Sequence, residues 1–132
     1  LRVVAIPDCG KVLNPQGLEG QCEGGAVMGI GYTLYEDVLM ENGYNKTKSF
    51  TDYVIPTIRE TPVIETIPVE SNENSGPFGA KGIAEVVMIP IIPAIMAAIY
   101  DATGARIYQL PATPERVYQA MQATKKQTLT AR

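Results

Sequence analysis

Half of the chain's twelve glycines fall in one stretch: Gly17, Gly20, Gly24, Gly25, Gly29 and Gly31. Asn14 and Pro15 open that stretch with the signature of a helix start, a side-chain cap followed by proline at the first helical position. A helix is therefore expected from Pro15 to about Tyr35. Each glycine weakens a solvated helix by about 1 kcal/mol relative to alanine. A helix so rich in glycine holds only where something approaches its backbone closely. A neighbouring helix and a bound ligand would both satisfy that requirement, and the pattern alone does not choose between them.

A second glycine-rich segment, Gly76-Pro77-Phe78-Gly79-Ala80-Lys81-Gly82-Ile83-Ala84-Glu85, ends in a carboxylate. It is followed by an almost uncharged run from Val86 to Ile99. A glutamate at the mouth of such a loop, backed by an apolar segment, is expected to lose part of its water. Desolvation favours the proton-accepting behaviour required of a base at neutral pH. Glu85 is thus a candidate general base, set against the common case of a solvated loop glutamate. Lys81, four residues earlier, reads either as a ligand-facing cation or as a structural ion-pair partner. Backbone N–H groups around Gly79 to Gly82 could bind anionic oxygens.

Composition narrows the chemistry. There is no histidine, which removes imidazole-based nucleophilic catalysis and His-ligated metals. Cys9 and Cys22 do not form a CxxC pair, so neither a zinc nor an iron–sulfur site is expected within the chain, and reduced thiols are the default in a cytosolic setting. A net charge of −3 argues against a nucleic-acid partner. The run from Val86 to Ile99 is short for a bilayer span and holds two prolines, so no membrane segment is expected. At 132 residues, 45% of them apolar, the chain can form one domain with a core, yet is small for an enzyme carrying a large cofactor. It opens without methionine, which suggests a piece of a longer polypeptide.

The coarse pattern is a single mixed α+β domain over residues 1–123, with a polar, fraying tail at 124–132. Strands are expected at Arg2 to Pro7, Glu36 to Met40, Tyr44 to Thr47, Val63 to Val69 and Ala105 to Leu110, with a tight turn at Glu41-Asn42-Gly43. Pro68 points to a sheet edge. A further helix is expected from Pro90 or Pro93 to about Thr103, closed by Gly104. Thr113-Pro114-Glu115 starts a last helix reaching Ala123.

Four segments in order carry a family resemblance: Asp8-Cys9-Gly10 with Asn14-Pro15; Gly20-Gln21-Cys22-Glu23-Gly24-Gly25-Ala26 running to Gly29-Ile30-Gly31; Gly79-Ala80-Lys81-Gly82-Ile83-Ala84-Glu85; and Asp101-Ala102-Thr103-Gly104 with Leu110-Pro111-Ala112-Thr113-Pro114-Glu115. Together they cover nearly the whole chain. The chain resembles the C-terminal part of the molybdopterin-binding subunit of the xanthine dehydrogenase/aldehyde oxidase family of molybdenum hydroxylases.

That resemblance implies an oxidoreductase that hydroxylates an sp2 carbon of an N-heterocycle or aldehyde, with water as the oxygen source. Glu85 matches the family's base beside the molybdenum, where it deprotonates a metal-bound hydroxyl. Gln21, Gly24 and Gly25 match the segment lying against the pterin, and Gly79, Ala80, Lys81 and Gly82 the loop before the base. The metal is held by cofactor sulfurs, so no protein metal ligand is implied. The implied cofactor is molybdopterin, plain or as the cytosine dinucleotide, with FAD and 2Fe-2S centres on partner domains or subunits. Implied partners are the remainder of the molybdopterin-binding subunit, the iron–sulfur and flavin subunits, and a small-molecule substrate, in the cytoplasm. Ala84 and Val86-Val87 depart from the family pattern; Ala84 replaces a usual glycine, which is tolerable at negative φ. A different class of reading, a non-catalytic scaffold or remnant domain binding a partner chain, is the alternative.

Overall fold

The computed structural model describes residues 2–130, with the side chains of the last four of these left aside. The class is α+β, as expected. Its elements are β1 (Arg2–Ala5), α1 (Pro15–Leu34), β2 (Met40–Glu41), β3 (Tyr44–Asn45), β4 (Val63–Thr66), a 3-10 turn (Pro77–Gly79), α2 (Glu85–Thr103) and α3 (Pro114–Thr130). Contacts group these into two compact units.

The first unit comprises the chain up to Gly29 together with Pro56–Ile91. β1 and β4 pair in parallel, with Arg2 opposite Val63 and Ala5 opposite Thr66. The expected longer strands, to Pro7 and Val69, are interrupted for a specific reason. Pro7 has no N–H to donate, so regular pairing stops at Ala5 and resumes as a single bridge between Asp8 and Val69. Pro68 does no damage, because Ile67 and Val69 on either side of it donate to Ala5 and Pro7. α1 starts as the sequence indicates: Asn14 Oδ1 accepts the Gly17 N–H at 2.9 Å. Ala5, Cys9, Leu18, Cys22, Ala26, Val87 and Ile91 are buried in this unit.

α2 begins at Glu85, earlier than the expected Pro90 or Pro93. Both prolines lie inside the helix, each removing one intrahelical hydrogen bond. An acidic residue in the first turn is favoured by the partial positive charge at a helix N-terminus, and that supports the earlier start. The extension matters for the membrane expectation too. From Glu85 to Thr103 the helix is 19 residues with mean hydropathy 1.8, long and apolar enough by length and composition to cross a bilayer. A core helix of a larger protein has the same profile.

The second unit comprises Ile30–Ile55 and the chain from Ile92 onward. β2 and β3 form a minimal antiparallel hairpin around Asn42 and Gly43, both at positive φ (51° and 82°). The strand expected at Glu36 to Met40 shrinks to its last residue plus Glu41, since residues 36–39 carry no ladder. Residues 105–110 form no strand either; they are an irregular connection in which Ala105 alone is fully buried. Gly104, at φ 68°, closes α2 by donating to the Tyr100 carbonyl at 2.7 Å. Thr113 caps α3 as expected, its Oγ1 accepting the Arg116 N–H at 3.3 Å. α3 runs past Ala123 to Thr130, so most of the expected tail is helical; residues 131 and 132 lie outside the described residues. Arg116 ties this cap down, donating to the Pro111 carbonyl at 2.7 Å and to Asp37 at 3.3 Å.

Candidate functional site

The glycine helix resolves into two sides. Gly25 and Gly29 face α2. A Cβ on Gly29 would stand 2.7 Å from Ile91 Cβ and 3.0 Å from the Met88 carbonyl. On Gly25 it would stand 3.3 Å from both the Ala84 carbonyl and Val87 Cβ. These two glycines serve close helix–helix approach. Gly20 and Gly24 are different: nothing lies within 4 Å of where their Cβ atoms would be. Gln21 and Gly24 are exposed. Close helix–helix approach therefore accounts for Gly25 and Gly29, while Gly20 and Gly24 lie on an open side of the same helix. Gly25, matched by resemblance to the pterin-facing segment, in this chain supports the start of α2.

Glu85 is the first residue of α2, directly after the Ala84 carbonyl that Gly25 approaches. The expected partial desolvation is not present within this chain, where Glu85 is exposed. The residue of the first turn that points inward is Val87, only 4% exposed, while Val86 remains outside at 47%. Gln21 is one helical turn before Gly25, a rise of about 6 Å, so its amide lies on the stretch of α1 leading toward the Glu85 helix start. Ala84 sits at negative φ, since the only non-glycine residues at positive φ among those described are Asn42, Asn72 and Phe78. The departure from glycine is therefore accommodated.

The loop before Glu85 is held internally. The N–H groups of Gly79, Ala80 and Lys81 donate to the carbonyls of Gly76, Pro77 and Cys9, at 3.1, 3.1 and 2.9 Å. The expectation that this loop offers a run of free N–H groups to an anion is corrected by these bonds. Gly82 is exposed with open space around it, and it is the loop glycine left accessible to a ligand. Lys81 Nζ pairs with Asp8 Oδ2 at 2.7 Å, which makes it a structural ion-pair partner. Asp8 Oδ1 also accepts from Ser71 Oγ at 2.8 Å and from the Gly10 N–H at 3.0 Å. These donors, Lys81 foremost, hold the Asp8 carboxyl down at about 2, and Asp8 in turn raises the Lys81 ammonium. Sequence reading placed no role on Asp8 beyond its motif; its spacing from Lys81 gives no hint that they meet.

Cys9 and Cys22 are free and buried, and burial pushes the Cys22 thiol up. Among the described residues no group of three or more His, Cys, Asp or Glu gathers as a metal site would need. In the second unit Tyr53 donates a short hydrogen bond to Glu36, which pushes its hydroxyl up to about 12. Phe78 is 85% exposed. The groove of the second unit, lined by Pro93, Met96, Tyr100, Arg106 and Tyr108, contains none of the expected site residues.

The family profile of the molybdopterin cofactor-binding domain matches residues 1–62, which include α1 and its glycines. The chain is 38% identical over 120 residues to the xanthine dehydrogenase molybdenum-binding subunit of Escherichia coli O157:H7, covering 89% of this chain and 16% of that subunit. It is 39% identical over 123 residues to the nicotine 6-hydroxylase large subunit of Paenarthrobacter nicotinovorans, covering 90% and 15%. The crystal structure of quinoline 2-oxidoreductase from Pseudomonas putida 86 superposes with a TM-score of 0.84 at 36% identity, over 90% of this chain and 16% of that one. The chain belongs to the molybdopterin-binding subunits of the xanthine dehydrogenase/aldehyde oxidase family. It spans about 16% of the length of the curated relatives it matches.

Proposed function

We propose that this chain is the segment of a molybdenum hydroxylase that supplies the catalytic base, Glu85, and one wall of the molybdopterin site. The observation that carries this reading is the position of Glu85. It is an exposed carboxylate at the first residue of α2, on a helix start that Gly25 of α1 approaches closely at the preceding Ala84 carbonyl. The residues present fit a flat heterocyclic cofactor. Gly20, Gly24 and Gly82 leave space that a side chain would fill, and the exposed Gln21 amide can donate and accept toward a pterin edge. When bound, the cofactor supplies the two-electron oxidation and the activated oxygen.

The Glu85 carboxylate would take the proton from the attacking oxygen as that oxygen joins the substrate carbon, whose C–H bond would break with its electron pair passing to the oxidant that the cofactor supplies. Exclusion of water from this base requires cover that the chain itself does not provide. The remainder of a molybdopterin-binding subunit would provide it, and iron–sulfur and flavin partners would receive the electrons. The substrate is an N-heterocycle or an aldehyde, the classes named among the relatives by xanthine, nicotine, quinoline and aldehyde. The reading keeps the enzyme in the cytoplasm.

Glu85→Gln in the reconstituted, cofactor-loaded complex is the test. Loss of substrate oxidation with molybdenum content unchanged supports the base assignment. Undiminished oxidation would leave the chain as a scaffold segment.

A further inference from the structure

The geometry points to Asp8 as a positioning residue for Glu85, acting through Lys81. This rests on Glu85 being the base. Asp8 collects donors from three separate segments. Gly10 lies in its own turn after β1, Ser71 follows β4, and Lys81 is in the loop leading into α2. A single half-exposed ion pair would contribute little. Here it is one bond in a larger clasp. The Lys81 N–H donates to the Cys9 carbonyl, Asn72 N–H to the Gly10 carbonyl, and Glu73 N–H to the Gly79 carbonyl, each at 2.9 Å.

Gly10 is the hinge pin of this clasp. It sits at φ 69°, and a Cβ there would stand 2.3 Å from the Gly79 carbonyl. The two segments of the chain thus cross at a distance only glycine permits. Just beyond Lys81, Gly82 is exposed with open space at its Cβ position. The next restraint is the approach of Gly25 to Ala84. The run from Lys81 to Glu85 therefore meets two restraints in turn, the Asp8–Lys81 clasp and the α1 contact at Ala84, and the position of Glu85 follows from both. Loss of the first leaves the start of α2 positioned by the Gly25 contacts with Ala84 and Val87 alone, so Glu85 shifts with the loop that leads into it. A base displaced by about 1 Å loses up to about 10²-fold in rate while substrate binding elsewhere is untouched.

The experiment uses the complete molybdenum-binding subunit with its cofactor and redox partners. Asp8→Asn, Lys81→Met and the double variant are compared with Glu85→Gln. The expected result is a kcat reduced roughly tenfold to a hundredfold in each single variant, KM unchanged, and a double variant no worse than either single. Molybdenum and pterin contents should match the parent, and hydrogen exchange should accelerate at residues 82–88. Unchanged kcat in Asp8→Asn, beside an inactive Glu85→Gln, would overturn the positioning role. So would activity lost only in proportion to cofactor content. Should Glu85→Gln remain active, the base assignment fails instead, and unchanged exchange at residues 82–88 in Lys81→Met would remove the clasp as well. If Asp8→Asn does not fold, Lys81→Met, which deletes only the Nζ contact, decides by the same kcat and exchange readouts.

Discussion

The Ala84 carbonyl oxygen lies 3.3 Å from the position a Cβ would take on Gly25. Ala84 immediately precedes Glu85, so this gap sets how far the helix start can approach α1. Alanine at position 25 must push Ala84 or Val87 by a few tenths of an ångström. It gains about 1 kcal/mol of helix propensity against an overpacking cost of about 1–3 kcal/mol. Gly25→Ala should therefore lower stability only modestly, read as the urea midpoint. Its larger effect should be on kcat in the assembled enzyme, because the displaced atoms carry Glu85. An unaltered kcat would show that this contact does not set the position of the base.

Gly24 and Gly29, on opposite sides of α1, should respond in opposite directions. Alanine at 29 puts a methyl 2.7 Å from Ile91 Cβ and 3.0 Å from a backbone carbonyl, neither of which can swing away. About 1–3 kcal/mol of destabilisation is expected. Alanine at 24 meets nothing within 4 Å and should stabilise the chain by about 1 kcal/mol. In the complete subunit the same change should reduce molybdenum and pterin content, since the added methyl occupies the open flank. Chemical denaturation and metal analysis of the two variants separate these outcomes. Normal cofactor content in Gly24→Ala would move the pterin away from this flank.

Asp8 gives the loop a defined acid sensitivity. Its carboxyl is held at about 2, below the ordinary 3.8, by Lys81, Gly10 and Ser71. A carboxyl lowered on folding adds stability that is fully present above its unfolded value and is lost as pH falls through the folded one. The contribution should therefore persist down to about pH 4 and disappear toward pH 2. Carbon-detected NMR titration of the Asp8 side chain should give a midpoint near the lower value. In Lys81→Met the midpoint should rise toward the ordinary range, because the largest cause has been removed. A midpoint unmoved by that substitution would mean that the ion pair is not formed in solution.

The helix of glycines was legible because its cap and spacing are local signals, and local signals survive folding. Its two-sided use was not, since nothing in Gly24 and Gly25 says which one meets α2. The start of α2 was misplaced for a related reason: Pro90 and Pro93 look like boundaries to a local rule, while the tertiary contacts of Val87 and Ile91 carry the helix through both. The segment at 105–110 has strand-like residues but no partner strand to pair with. Motif order singled out Glu85 and Gln21, which the structure places at the first residue of α2 and on an exposed position of α1. The burial expected of Glu85 is not found, because the apolar run behind it turns Val87 inward and leaves the first residue of the helix exposed. The Asp8–Lys81 pair joins residues far apart in sequence and was beyond any spacing argument.

The two thiols offer a test of the first unit's core that needs no cofactor. Cys22 is fully buried and Cys9 is 3% exposed, with Cys9 Sγ directed at the Val69 carbonyl at 3.4 Å. The thiolate is the reactive form, and burial pushes Cys22 away from it. Both cysteines should therefore resist an aromatic disulfide reagent at neutral pH in the native chain. Both should react fully once the chain is denatured. Gly29→Ala, which forces α1 away from Ile91, should open this core and speed labelling of Cys22, whereas Gly24→Ala should not. Equal labelling rates in the two glycine variants would show that the contact at Gly29 does not hold this core closed.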